Sequence, residues 1–202
     1  MILVIAVIVG LMGGIIRARI KKRSYQAKTL RFPWLVLLAL IPQWLVFTLP
    51  IVRNTLPNLI VSITLVLSQV VLFIFAWINW RTPGFWLLVS GLVLNLVVIM
   101  ANGGFMPIAP DTAQWLIPTF SEESWEIGTR FAKGKDIVLP IDKTALYFLS
   151  DRFRTPAFDL YRAAFSLGDC FIAAGAFWLL WAMGGKKHAK LTWENLNDTD
   201  GG

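Results

Sequence analysis

Two aspartates near the end of the chain have the residue type and spacing for acid–base chemistry. Asp151 ends the stretch "YFLSD", and Asp169 ends "AFSLGD" eighteen positions later. If the two carboxyl groups meet, one can hold a proton while the other activates a water molecule for hydrolysis. An ionisable side chain beside an apolar run is also a functional candidate because it is costly to keep there. Asp151 and Asp169 are therefore the candidate catalytic residues.

A second interpretation gives Asp169 a structural role. Ser166 and Asp169 form the pattern S-x-x-D, which is typical of a capping box in the first turn of a helix. The carboxylate can accept a hydrogen bond from the Ser166 backbone N–H, and the positive end of the helix favours its charge. We favour this interpretation, in which Asp151 has no part in the cap.

A glycine-rich motif, "ANGGFMPIAPD", follows a long apolar run. Asn102, Gly103 and Gly104 can take the left-handed backbone conformation that ends a helix, and Pro107 prevents the helix from resuming. Helix termination is a sufficient explanation of this motif. A binding site at the same three residues is the alternative.

Three amide side chains, Gln43, Gln69 and Asn95, interrupt otherwise apolar runs. In an apolar environment such groups face neighbouring helices, where each hydrogen bond contributes about 0.6–2 kcal/mol. The alternative is that the three amides line a polar pocket for a ligand. The sequence favours hydrogen bonding between helices, and a ligand pocket remains the alternative.

The chain has one histidine, His188, and one cysteine, Cys170. A Ser–His–Asp triad on the side of the two aspartates, a two-histidine haem site and a thiolate metal cluster therefore lack their residues. We predict no cofactor and no metal.

These candidates lie among five long apolar runs. Hydrophobic residues make up 56% of the 202 positions and charged residues 15%, whereas soluble domains are about 25% charged. A bilayer core of about 30 Å needs about 20 helical residues. The sequence predicts an all-α membrane domain, residues 1–184, of five transmembrane helices at about 2–16, 32–52, 59–78, 84–101 and 166–183. The stretch "IDKTALYFL" predicts one more short amphipathic helix, capped by Asp142, on the membrane surface.

The cations predict how the bundle is oriented. The loop "RARIKKRSYQAKTLR" has seven cations and no acid, and short basic loops stay in the cytoplasm. The N-terminus is then outside, residues 102–164 are extracytoplasmic, and the polar tail 185–202 is cytoplasmic. Six tryptophans fall near predicted cytoplasmic helix ends, at the interface that indole rings prefer: Trp34, Trp77, Trp80, Trp86, Trp178 and Trp181.

This orientation also accounts for the net charge of +7. The predicted partners are membrane lipids and a membrane protein, with no nucleic acid. The predicted location is the bacterial cell (inner) membrane, which the chain crosses several times.

Several motifs together resemble a bacterial family of five-helix membrane proteins known only as a domain of unknown function. They are Gly13 and Gly14, Gln43, "NGGFMP", "LSD" and "SLGD". The resemblance implies membrane location and no particular activity. The last forty residues also resemble lipoprotein signal peptidase II, whose two catalytic aspartates would correspond to Asp151 and Asp169. That family has asparagine and alanine where this chain has Ser166 and Gly168.

Two functions follow from these patterns. The favoured one is a non-catalytic membrane protein that packs with a membrane partner or binds a lipid or other amphiphile at its outer face. The alternative is an aspartyl membrane hydrolase that uses Asp151 and Asp169.

Overall fold

A computed structural model describes residues 2–118, 126–155 and 162–184. The predicted tail, 185–202, and two parts of the predicted outer segment, 119–125 and 156–161, lie outside the described residues. The chain is mostly helical. Its helices are α1 (Ile2–Ile20), α2 (Trp34–Thr48), α3 (Pro50–Thr55), α4 (Asn58–Ile78), α5 (Phe85–Ala101), α6 (Pro110–Leu116) and α7 (Leu167–Met183). The strands are β1 (Met106–Ile108), β2 (Asp136–Val138), β3 (Phe153–Arg154) and β4 (Ala164–Phe165).

Two of the described helices, α1 and α4, are long and apolar enough to cross a membrane by length and composition. Three shorter apolar helices, α2, α5 and α7, have 15, 17 and 17 residues. The apolar runs of the sequence thus form helices, and the length requirement for a span is met by two of them.

The predicted helix at 32–52 is divided in the structure, which corrects that expectation. Leu49 is extended, with φ −75° and ψ 118°, and separates α2 from α3. The following Pro50 is the reason, because a proline ring disfavours the helical conformation of the residue before it. Pro50 itself begins α3, where its missing N–H has no partner to lose. Pro42 lies inside α2 without ending it.

The five apolar helices pack as a row in the order α1, α7, α5, α4, α2. Glycines allow the close contacts at α7. A Cβ at Gly10 would lie 2.8 Å from Phe177 O, and one at Gly14 would lie 2.6 Å from Leu180 O. The residue numbers in α1 and α7 thus increase in the same direction, so the two helices run parallel. Gly84, just before α5, meets Gly175 and Leu179, whereas Gly91 meets Gly168 and Ile172, so α5 and α7 are antiparallel.

Hydrogen bonds gather the basic loop at one end of the row. The Tyr25 hydroxyl donates to Leu180 O at 3.1 Å. The Asn79 side chain accepts from the Arg31 N–H at 2.8 Å and donates to Arg31 O at 3.0 Å. The loop after α1, the turn between α4 and α5, and the end of α7 therefore lie together.

The opposite end carries a small mixed layer. Strands β1 and β2 pair in parallel, with Pro107 opposite Ile137, and β3 pairs with β4 in antiparallel fashion. A cluster of Ile108, Ala113, Phe131 and Val138 forms the core of this layer.

The amphipathic helix predicted at "IDKTALYFL" is wrong. The segment instead forms two 3-10 turns, Ile141–Lys143 and Tyr147–Leu149, separated by Leu146 at φ 54°, and Asp142 does not cap them. Asn102 explains the break. It accepts from the Ala145 N–H at 3.0 Å and donates to Ala145 O at 2.9 Å. The N–H and the C=O of Ala145 are thereby both withdrawn from the backbone hydrogen bonds of an α-helix.

Candidate functional site

The start of α7 is a complete capping box. Ser166 Oγ accepts from the Asp169 N–H at 3.0 Å, and Asp169 Oδ2 accepts from the Ser166 N–H at 3.1 Å. This is the arrangement that the S-x-x-D pattern predicts. Ser166 is completely buried, with 0% of its surface exposed.

Asn95 of α5 joins this cap from the neighbouring helix. Its Nδ2 donates to Asp169 Oδ1 at 2.9 Å, and its Oδ1 accepts from the Ser166 hydroxyl at 2.8 Å. Gly168 makes the contact possible, since a Cβ there would overlap Asn95 Oδ1 and lie 2.8 Å from Gly91 O. Three polar side chains thus form one hydrogen-bonded ring between α5 and α7.

A charged cluster lies next to the cap, centred on Lys135. The Lys135 Nζ is 2.6 Å from Asp151 Oδ2 and 2.6 Å from Asp136 Oδ1. Strand β1 positions two of these residues: the Met106 N–H donates to Lys135 O at 3.1 Å, and the Asp151 N–H donates to Pro107 O at 3.2 Å. The Asp151 side chain is only 3% exposed, and its Oδ1 has no hydrogen-bond partner.

The electrostatics of the cluster couple Asp169 to it. Burial raises the pKa of Asp151 to about 7; the Lys135 ammonium opposes this shift, and the charges of Asp136 and Asp169 add to it. Burial acts to lower the pKa of Lys135, but the charges of Asp136, Asp151 and Asp169 raise it well above its ordinary value. Three carboxylates act on one ammonium group, which is why their combined charge outweighs its burial.

A cavity of about 330 Å³ opens beside the cap and the cluster. Its polar lining comes from Gln43, Gln69, Asn95, Lys135 and Asp169. Its apolar lining includes Leu40 of α2, Leu72 of α4, Leu92 of α5, Ile172 of α7, and Ile2 and Leu3 of α1. Since α1 and α2 are the two ends of the helix row, the row curves round this cavity.

Comparison with known proteins places the chain in a family. The model of a "Family of unknown function (DUF5317)" matches residues 27–181. The chain belongs to this family. No curated protein and no solved structure matches it.

The matched part of the DUF5317 chain contains the cap, the charged cluster and most of the cavity. It also contains both aspartates on which the resemblance to signal peptidase II was based, and the comparisons give that resemblance no support. The structure adds a physical difference at Gly168, because the alanine of the peptidase pattern would collide with Asn95 here.

The two aspartates of the DUF5317 chain come close without forming a carboxylate pair. Asp151 is bound to Lys135, and both oxygens of Asp169 already accept hydrogen bonds from Asn95 and Ser166. An aspartyl hydrolase requires two carboxylates that share one proton or one water. Here the Lys135 ammonium holds one oxygen of Asp151, and the other oxygen has no partner. Within the described ranges, no three His, Cys, Asp or Glu side chains are placed to hold a metal ion.

The amides predicted from the apolar runs have two roles. The Gln43 Nε2 donates to Ser68 Oγ across the α2–α4 contact, and Asn95 connects α5 to α7. All three amides also line the cavity. The Gln69 Oε1 is buried and has no hydrogen-bond partner, so this amide has an unused acceptor next to the cavity.

The glycine-rich motif lies apart from the cavity. Gly103 and Gly104 have φ of 74° and 85°, and the Gly104 N–H closes the helix end by donating to Ile99 O at 2.9 Å. Asn102 has φ −117° and therefore is not left-handed. Its side chain instead holds Ala145, so the motif ends α5 and anchors the mixed layer.

Sequence reasoning missed Lys135 and Asp136. Their only signal was an adjacent pair of opposite charges before a short apolar stretch, "KDIVLP". Such pairs are usually solvated and contribute little. The fold makes this pair important by bringing Asp151 and Asp169 to it.

Proposed function

We propose that the chain is a multi-pass protein of the bacterial cell membrane that binds a lipid or other amphiphile in the cavity at its outer end. One observation carries the proposal. Three apolar helices each contribute an amide to the lining of one cavity, where Lys135 and Asp169 join them. Sites for small molecules combine an apolar lining with a few convergent polar groups, as this one does.

The surface of the helices supports a membrane location. Large apolar side chains stay exposed on each helix of the row, for example Ile5 at 55%, Leu37 at 60%, Leu67 at 58% and Val97 at 45%. Soluble monomers rarely expose contiguous apolar surface of this extent. The bilayer would cover it, with all five apolar helices crossing.

The two ends of the row support the orientation with the N-terminus outside. One end holds eight cations, Arg17, Arg19, Lys21, Lys22, Arg23, Lys28, Arg31 and Arg81. The six exposed tryptophans named above belong to the same end. Indole rings favour a membrane interface, and cations in short loops favour its cytoplasmic side, which makes the cavity end the outer one.

The cavity lining supports an amphiphile as the ligand. The ammonium of Lys135, the carboxylate of Asp169 and the amide of Gln69 would bind a polar head. Leu72, Leu92 and their neighbours would contact an apolar part. Because Ile2 and Leu3 form one wall, a ligand can enter between α1 and α2 from the lipid layer.

The first experiment fills the cavity without removing a hydrogen bond. Leu72→Trp adds bulk inside it, whereas Leu67→Trp, on the lipid side of the same helix, is the matched control. After mild detergent extraction, mass spectrometry should find an amphiphile with the wild type and with Leu67→Trp. Leu72→Trp should retain at least about tenfold less, a loss of about 1.4 kcal/mol.

Gln69→Leu tests the head-group contact separately. We expect unchanged thermal stability and less bound amphiphile, because the Gln69 oxygen has no partner in the protein. A stability loss of about 1 kcal/mol with the amphiphile still bound would make Gln69 a structural residue. Equal amphiphile binding by wild type and Leu72→Trp, or a co-purifying protein in its place, would contradict the proposal.

A further inference from the structure

A second pocket lies at the basic end of the row, far from the outer cavity. It measures about 320 Å³ and is formed by the segment after α1 and the turn between α4 and α5. Three cations, two hydroxyls and an indole line it: Lys28, Arg31, Arg81, Thr29, Thr82 and Trp80.

Asn79 fixes the two walls of this pocket to each other. It is 6% exposed, and it holds both backbone groups of Arg31 while donating to Phe75 O at 2.9 Å. The Thr82 N–H in turn donates to Asn79 O at 2.8 Å. The cations are therefore carried on a fixed backbone.

The charge of the pocket is uncompensated in the part of the chain that the structure describes. No carboxylate lines it, and the ion pairs found among the described residues both belong to Lys135. The Arg81 guanidinium lies 5.6 Å from the centre of the Trp80 ring, and Trp80 is exposed. Three positive groups and two hydroxyls converge there on a volume large enough for a phosphate group.

We propose that this pocket binds the phosphate group of an anionic phospholipid in the cytoplasmic leaflet. Guanidinium and ammonium groups form charge-assisted hydrogen bonds with phosphate oxygens. Trp80 suits the head-group level of the bilayer, and basic pockets between helices on the cytoplasmic side bind anionic head groups. The proposal rests on the membrane location proposed above and is independent of the outer cavity.

The test compares two triple variants with the same loss of charge. Lys28→Gln, Arg31→Gln and Arg81→Gln remove the pocket cations; Arg19→Gln, Lys21→Gln and Lys22→Gln remove neighbours outside it. Purified protein is titrated with phosphatidylglycerol and, separately, phosphatidylcholine in detergent, and bound lipid is counted by native mass spectrometry. The assay is repeated at about 1 M salt, where the Debye length is about 3 Å and long-range attraction is screened.

We expect the pocket variant to bind phosphatidylglycerol at least about fivefold more weakly than wild type at high salt, and the control variant to match wild type. Phosphatidylcholine should bind weakly to all three proteins. The pocket changes should weaken phosphatidylglycerol binding by the same factor in a Leu72→Trp background as in wild type, which separates this site from the outer cavity. Equal losses in both triple variants would reduce the pocket to general surface charge, and displacement of the lipid by millimolar inorganic phosphate would make free phosphate the ligand.

Discussion

Asp151 is a buried carboxylate held by one lysine. Its side chain keeps one oxygen on the Lys135 ammonium, while the other oxygen lacks a partner. Burial raises the pKa of Asp151 to about 7, above the value of about 3.9 for an unfolded chain. Between these two values the folded protein binds more protons than the unfolded one, so stability from this group falls as pH rises.

Asp151→Asn should remove this dependence on pH. The difference in unfolding free energy, wild type minus variant, should decrease by up to about 1.4 kcal/mol per pH unit between pH 4 and about 7 and then level off. Lys135 stays charged over this range, because the pKa of Lys135 is raised. Thermal unfolding in detergent at a series of pH values measures this difference in unfolding free energy. The control is Asp142→Asn, at an exposed aspartate of the same segment, which should show no such trend. If the difference for Asp151→Asn does not change with pH, Asp151 does not have a raised pKa in the folded protein.

At the residue scale, the sequence predicts what depends on close neighbours. Ser166 and Asp169 are three positions apart, so their mutual capping follows from the spacing. Asn95 and Lys135 reach the same cap from far along the chain, and no spacing encodes that approach. The local half of the site was therefore predictable, and the half made by tertiary packing was not.

Helix α1 is attached to the bundle through small residues. Gly10 and Gly14 both meet the backbone of α7, whereas a Cβ at Gly13 would have ordinary contact with Trp181 at 3.4 Å. Arg17 adds a contact at the basic end, 3.9 Å from the Trp181 ring. Small residues let two helix backbones approach closely, and the resulting van der Waals packing is one source of attraction between helices in lipid.

Gly14→Ala and Gly13→Ala give a matched test of this contact. Alanine improves helix propensity by about 1 kcal/mol, so Gly13→Ala should be neutral or stabilising. Gly14→Ala should lose about 1–3 kcal/mol through overpacking, because its Cβ would meet Leu180 O and the Tyr25 ring. Thermal unfolding in detergent would show the contrast, and equal stabilisation by both changes would mean that α1 does not pack on α7 as described.

Among the elements, the long apolar helices were predictable and the small mixed layer of strands and turns was not. Hydrophobic length identifies α1, α4, α5 and α7 directly. The break at Leu49 was encoded in Pro50, but the length of the apolar run concealed it. Helix α6, strand pair β1–β2 and the turns at 141–149 depend on contacts such as Asn102 with Ala145, which hydrophobic periodicity does not report.

The whole molecule has two chemically different ends. The basic end carries eight described cations, and the chain has no acid before Asp111. The other end collects Asp136, Asp151 and Asp169 around Lys135 and holds the cavity. A curved row of apolar helices joins them, and α4 reaches both sites, with Gln69 and Leu72 at the cavity and Ile78 at the basic pocket.

Topology decides which leaflet each end meets. A reporter enzyme that works only outside the cytoplasm should be active when fused after Lys133, in the outer layer, and silent when fused after Arg81 or after Lys187. Lys133 lies two residues before Lys135 of the charged cluster, and Arg81 lines the basic pocket. The reverse pattern would place that pocket outside, away from the anionic cytoplasmic surface that is expected to supply its lipid. It would leave the Leu72→Trp experiment valid, because filling the cavity blocks a ligand in either orientation.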